Sequence, residues 1–182
     1  MAKPVALEIK GDAIAPMPET SSSQPNILNK PIINNRLSKI KVKSSMARVK
    51  SLRIYTDGGS RGNPGNAAAA FIIEDAEGTV LEKHSEYIGT TTNNVAEYTA
   101  FIKALKKAVA YGATEVSCFS DSERVIKQLN GEEKSKVLAE LYKKVKDIEK
   151  NFKSITYSHL KREDPRIRRV DKLVNMQLNR LR

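Results

Sequence analysis

Apolar and polar positions alternate from Leu52 to Asp57, as they do along a strand with one buried face. The next eight residues, Gly58 to Gly65 (GGSRGNPG), hold four glycines and a proline, which predicts a turn-rich loop. Ala67 to Glu74 and Thr79 to Ile88 read as two further strands joined across Asp75-Ala76-Glu77-Gly78, a hairpin connection containing glycine. The period then becomes helical. Tyr98, Phe101, Ile102, Leu105, Ala108 and Val109 fall on one face of a helix predicted over Asn94 to Ala110 and stopped by Tyr111-Gly112. Glu115 to Ser120 is a short strand, Ser122 to Leu129 a short helix ended by Asn130-Gly131, and Ser135 to Asn151 a longer helix. Ser154 to Leu160 gives a fifth strand. The last helix opens at Asp164-Pro165, an N-cap followed by proline at the first helical position, and carries Ile167, Val170, Val174, Leu178 and Leu181 on one face.

The order β-β-β-α-β-α-α-β-α predicts an α/β fold with a mixed five-stranded sheet flanked by helices. Strands 1, 4 and 5 are linked through helices and so run parallel, while strands 2 and 3 hang from strand 1 as an antiparallel meander. Docking strand 4 on the free edge of strand 1 gives the order 3-2-1-4-5. The direction of connection then switches between strands 1 and 4, and a crevice opens at their carboxyl ends, where sheets of this class bind ligands.

Residues 1–50 differ from the rest of the 182-residue chain, holding five of its seven prolines, the polar run Glu19 to Asn26 and no aromatic residue. Such a segment buries too little to offset its ordering entropy, which predicts a disordered tail ahead of a catalytic domain at 51–182. Nine Lys/Arg against three acids give it +6 of the net +11, so it reads as a basic arm for a polyanion or as a solvated tail. The charge and a pI near 9.7 point to nucleic acid as partner. With no Trp and 5% aromatic residues, contact by base stacking is disfavoured and contact through backbone and groove is expected. One cysteine, Cys118, and two histidines exclude a disulfide and a Cys/His zinc site. The longest apolar run, Ala67 to Ile73, is far short of the roughly 20 residues of a membrane span, so no membrane partner is expected. The N-terminus lacks a continuous apolar region of the secretory kind, and a cytoplasmic location is expected.

Four acids stand out. Asp57 ends strand 1 and Asp121 directly follows strand 4, which sets two carboxylates side by side at the switch point, neither with a cationic neighbour in sequence. Glu97 lies four residues before Phe101 and eight before Leu105, at the margin of its helix's core-facing stripe. Asp171 sits four residues after Ile167 and three before Val174, again beside an apolar stripe. Each has a plain alternative: Asn94-x-x-Glu97 and Ser120-x-x-Glu123 loosely match the capping box, and Asp121 suits a helix N-terminus. Four carboxylates at one end of a sheet repel each other unless cations neutralise them. Hard divalent ions suit an all-oxygen set, and two of them about 3.5 to 4 Å apart clamp the attacking and leaving oxygens of a phosphodiester. The glycine-rich stretch after Asp57 is followed by no Gly-Lys-Ser/Thr, so a nucleotide-binding P-loop is rejected.

The segments YTDGGSRGNPG (55–65), TTNNVAE (91–97), SDS (120–122) and VDKLVN (170–175) resemble, in order and spacing, the four motifs of type 1 ribonuclease H. The resemblance spans about residues 52 to 180. It implies Mg²⁺- or Mn²⁺-dependent endonucleolytic cleavage of the RNA strand of RNA/DNA hybrids, with two ions per site and 5′-phosphate and 3′-hydroxyl products. It places Asp57 between both metals, Glu97 and Asp121 on the leaving-group side and Asp171 on the water-activating side. It gives Gly58, Gly59, Ser60 and Asn63 to the loop approaching 2′-hydroxyls, Asn93 and Asn94 to minor-groove contact, and Thr92 to a DNA-strand phosphate. A monomer is expected.

The chain departs from the family in three places. Glu123 stands where many members have glutamine, no histidine occurs in Lys161 to Arg169, and the Trp-bearing basic protrusion is missing, since Glu132 to Lys146 mixes signs. Substrate grip then falls to the tail and to Lys161, Arg162, Arg166, Arg168 and Arg169, unless these form a solvated charge run. Two other readings stand beside the nuclease: a non-catalytic RNase H-like binding module, which need not keep all four acids, and an integrase- or resolvase-type DNA nuclease, which needs no 2′-hydroxyl recognition.

Overall fold

The computed structural model describes residues 51–180, so the expectations for residues 1–50 and for Leu181 lie outside the described residues. The elements are β1 (Ser51–Gly62), β2 (Gly65–Glu74), β3 (Val80–Thr91), α1 (Asn93–Ala110), β4 (Glu115–Ser120), α2 (Glu123–Leu129), α3 (Ala139–Glu149), β5 (Ser154–His159) and α4 (Pro165–Asn179). They form a five-stranded sheet of order β3-β2-β1-β4-β5, with β1, β4 and β5 parallel and the β1-β2-β3 meander antiparallel. The expected α/β architecture is the one observed.

Helices cover both faces. Leu52 and Ile54 of β1 and Phe71 and Ile73 of β2 pack beneath α1 with Tyr98, Phe101 and Leu105. Tyr55 of β1 and Ala68, Ala70 and Ile72 of β2 face the other way, onto Val170, Val174 and Leu178 of α4. Burial on both sides explains why β2 is continuously apolar from Ala67 to Ile73 rather than alternating. Cys118 is fully buried in the α1 layer, and burial pushes its thiol well above the usual range, as suits a small core residue. Among the described residues no helix is long and apolar enough to cross a membrane.

Three local expectations are corrected. The stretch Gly58 to Gly65 is not mainly loop: β1 runs on to Gly62 and pairs with β2 as far as Gly62↔Gly65, leaving only Asn63-Pro64 as the turn. Gly62, at φ +94°, supplies the left-handed residue that lets the strand reverse there. The third helix starts at Ala139 and not at Ser135, because the Ser135 hydroxyl accepts from Leu138 N (3.3 Å) and forms a local turn that competes with the helix. The cap of α1 is Thr92, whose hydroxyl accepts from Val95 N (3.4 Å), so Asn94 begins no capping box. Ser120 forms none either: its hydroxyl accepts from Ser122 N (3.2 Å), and Glu123 pairs with Lys127.

Candidate active site

β1 outruns β4. Their parallel pairing stops at Tyr55↔Phe119, whereas the ladder with β2 continues for seven more residues of β1. From Thr56 to Gly62 the other edge of β1 is therefore unpaired, and backbone groups of alternate residues face a crevice. The crevice holds about 220 Å³, and Asp57, Glu97, Asp121 and Asp171 all line it. The structure thus brings the four acids together at the predicted switch point.

Close packing sets the first pair. A Cβ on Gly58 would lie 2.3 Å from the backbone of Ala96 and Glu97, so α1 rests directly on β1 one residue after Asp57. Only glycine permits that approach, and it draws Glu97 in beside Asp57. Glu97 is buried, and its carboxylate accepts from Asn93 Nδ2 on Oε1 (2.7 Å) and from the Ser122 hydroxyl on Oε2. Asp121 follows β4 within a tight turn in which Glu123 N donates to its carbonyl (3.1 Å). Asp171 projects from α4, where Arg162 Nη2 donates to Oδ1 (3.0 Å) and Asn175 Nδ2 to Oδ2 (3.0 Å).

The electrostatics follow from burial first and from crowding second. Burial, then the charges of Asp121, Asp171 and Glu97, push the Asp57 carboxyl from near 3.8 to about 7, with Arg162 opposing. Burial and then Asp121 raise Glu97 to about 7 as well, against the hydrogen bonds from Ser122 and Asn93. Two carboxyls held this far above their ordinary range mark a site short of positive charge. The donor set is all oxygen and acidic, so it fits hard divalent cations. Among the described residues no three His, Cys, Asp or Glu side chains close on one point as a preformed cage. The acids ring the crevice instead, with Asp171 turned onto Arg162.

The other predicted residues divide. Gly58, Gly59, Ser60 and Asn93 line the crevice, and the buried Ser60 hydroxyl oxygen has no hydrogen-bond partner among the described residues. Asn63, Thr92 and Asn94 do not line it. Asn63 instead accepts from Asn93 N (3.1 Å), tying the β1–β2 turn to the start of α1, and Thr92 is the cap. Sequence reasoning missed Arg162 as a crevice residue. It also missed Ser122 and Asn175, each of which orients an acid. Their signal was proximity, since Ser122 follows Asp121 and Asn175 lies one turn after Asp171.

This sheet order, with helices on both faces and acids at the open edge of β1, is that of the ribonuclease H fold. A crystal structure of RNase H1 from Halobacterium salinarum superposes with a TM-score of 0.68 at 32% identity, covering 71% of this chain and 98% of that one. LC11-RNase H1, solved in complex with an RNA/DNA hybrid, matches at a TM-score of 0.66 and 38% identity over 71% of this chain and 98% of that one. The bifunctional protein Rv2228c of Mycobacterium tuberculosis is 40% identical over 127 residues, which is 67% of this chain and 34% of that protein. The chain thus spans about a third of that curated relative's length. The Reverse transcriptase-like family matches residues 55–177, and the chain belongs to that family as a type 1 ribonuclease H.

Proposed function

We propose that this chain is an endoribonuclease that hydrolyses the RNA strand of RNA/DNA hybrids, acting as a monomer with two Mg²⁺ or Mn²⁺ ions and leaving 5′-phosphate and 3′-hydroxyl ends. The observation that carries the reading is the set of four acids around the crevice at the open edge of β1. Asp57 would be the ligand held in common, Glu97 and Asp121 would serve the leaving-group side, and Asp171 would serve the side of the attacking water. Bound cations would supply Lewis acidity and make a bound water more acidic than bulk water. The chain's own part is to fix the carboxylates. Asn93 and Ser122 hold both oxygens of Glu97, and Asn175 holds one of Asp171. Arg162 forms an ion pair with Asp171, and a cation held by this carboxylate would have to compete with it.

Strand choice needs groups that meet ribose. The unpaired edge of β1 offers backbone amides and carbonyls at Gly58 to Ser60, where the glycines let α1 and α4 pack closely on either face of the strand and leave this edge open at the crevice. Asn63, Thr92 and Asn94, grouped at the turn beside the start of α1, form a second contact zone outside the crevice.

The test is incubation of the purified chain with end-labelled RNA/DNA, RNA/RNA and DNA/DNA duplexes in Mg²⁺, Mn²⁺ or EDTA. Cutting of the RNA strand of the hybrid alone, absent in EDTA, is expected. Equal cutting of DNA/DNA, or binding of hybrid without cutting in either metal, overturns the proposal.

A further inference from the structure

Most lysines on the helices packed over the α1 face are answered by acids of the fold. Lys103 pairs with Glu86 (2.6 Å), Lys107 with Glu82 (3.0 Å), Lys127 with Glu123 (2.9 Å) and Lys146 with Glu149 (2.7 Å). Helix α4 and the corner before it are different, because the basic residues there divide by direction. Arg166 folds back onto Asp164 (2.7 Å) with its guanidinium over the rings of Tyr55 and Phe119. Arg169 reaches the buried Glu74 (2.8 Å), and Arg162 enters the crevice. Like Lys161 in the corner and Arg180 at the helix end, Arg168 and Lys172 are exposed and have no ion pair among the described residues.

Helical phase says where these two lie. At about 100° per residue, Asn175, which lines the crevice, stands about 40° around the axis from Asp171, and Arg168 and Lys172 stand about 60° and about 100° round in the same direction. Arg166 and Arg169 stand about 140° and about 160° from Asp171, on the far side. Val174 and Leu178, which also line the crevice, stand about 60° and about 20° round the other way, so Arg168 sits at the crevice-side shoulder of α4 and Lys172 follows it on the outer face of that shoulder. Arg168 and Lys172 are about 6 Å apart along the helix axis.

We propose that Arg168 and Lys172 form a phosphate track on the crevice-side shoulder of α4, gripping the backbone of the hybrid beyond the scissile bond. The inference rests on the ribonuclease reading above. Charge complementarity commits it to a nucleic-acid backbone, and with the charge of Glu132 to Lys146 mixed in sign this shoulder is a basic surface close to the acids. It also sorts the basic run read from the sequence: Arg166 and Arg169 serve the fold, and Lys172 joins Arg168 in binding.

The test uses the full chain carrying D57N, so that hybrid stays whole in Mg²⁺, and follows hybrid affinity by fluorescence anisotropy between about 50 and about 200 mM salt. R168A/K172A is expected to shallow the slope of log K against log salt by about 1.5 to 2, the loss of two phosphate contacts. R168Q/K172Q repeats the charge loss with longer side chains and is expected to match. K106A/K153A removes the same charge, with Lys153 at the opposite end of the sheet, and is expected to leave the slope near the parent's. A slope unchanged in R168A/K172A and R168Q/K172Q, or lowered equally in K106A/K153A, overturns the track. Cleavage by the wild-type chain is read in parallel. A chain that cuts hybrid while the slope stays unchanged fails the track alone, whereas a chain that cuts no hybrid fails the functional reading and, with it, the track as a substrate grip.

Discussion

Asp57→Asn is expected to stabilise the cation-free protein while destroying its activity. Asp57 is 9% exposed, and burial together with Asp121, Asp171 and Glu97 raises its carboxyl from near 3.8 to about 7. A carboxyl raised on folding favours the folded state only as long as it keeps its proton. The folded chain therefore loses stability as pH climbs from the unfolded-state value near 3.8 to the folded value of about 7, and the loss is constant above that. A rise of about three units corresponds to about 4 kcal/mol. Asn matches the size of the protonated acid and has no proton to lose. The gain of D57N over wild type should thus grow from under about 1 kcal/mol at pH 4 to about 4 kcal/mol at pH 8. Urea denaturation in EDTA at several pH values measures it. Adding Mg²⁺ should narrow the gap, because an ion at a hundred times its dissociation constant stabilises wild type by about 2.7 kcal/mol and the variant by less. A gain independent of pH, or a variant no more stable than wild type at pH 8, refutes the argument. Turnover above about a tenth of wild type refutes the role given to Asp57.

Gly58→Ala should cost about 2 to 4 kcal/mol in stability and also lower turnover, since its Cβ meets the backbone of Ala96 and Glu97 and must push α1 away from β1; calorimetry and a cleavage assay on the same preparation check both. Ser122→Ala removes one of the two donors that hold Glu97 in its charged form, so the acid limb of the pH–rate profile should move to higher pH, and an unmoved limb contradicts the assignment. Arg162→Ala removes a cation that competes for Asp171, so Mg²⁺ or Mn²⁺ measured by calorimetry in the absence of substrate should bind roughly tenfold more tightly, about 1 to 2 kcal/mol; weaker binding contradicts the competition.

The order of elements and the sheet were legible in the chain because each depends on local period. Leu52 and Ile54 against Arg53 mark a strand, and Tyr98, Phe101 and Leu105 mark a helix face, whatever lies elsewhere. The glycine stretch misled for a physical reason. Glycines at 58, 59, 62 and 65 look like turn residues, yet Gly58 is required by contact with α1 and only Gly62 by a positive φ, and neither contact nor ladder is visible in composition. The capping of α1 was misplaced by two residues because Thr92, Asn93 and Asn94 are all good caps, and the choice is made by Asn63 drawing Asn93 N toward the β1–β2 turn.

Charge was the least legible layer, and α4 shows why. The run from Lys161 to Arg169 reads as uniform basic surface, since an ion pair such as Arg169 with Glu74 joins residues 95 apart in sequence. Once that pair and the Arg166 contacts with Asp164, Tyr55 and Phe119 are removed from the account, the run ceases to be uniform. Arg162 pairs with Asp171 at the crevice, Arg166 and Arg169 brace the fold, and Lys161 and Arg168 stay unpaired, as does Lys172 further along α4. The helical phase that separates these roles was already in the sequence. What was missing was the partner of each charge, which only the folded chain supplies, and a basic surface becomes a binding surface only at the positions where the fold leaves the charge unanswered.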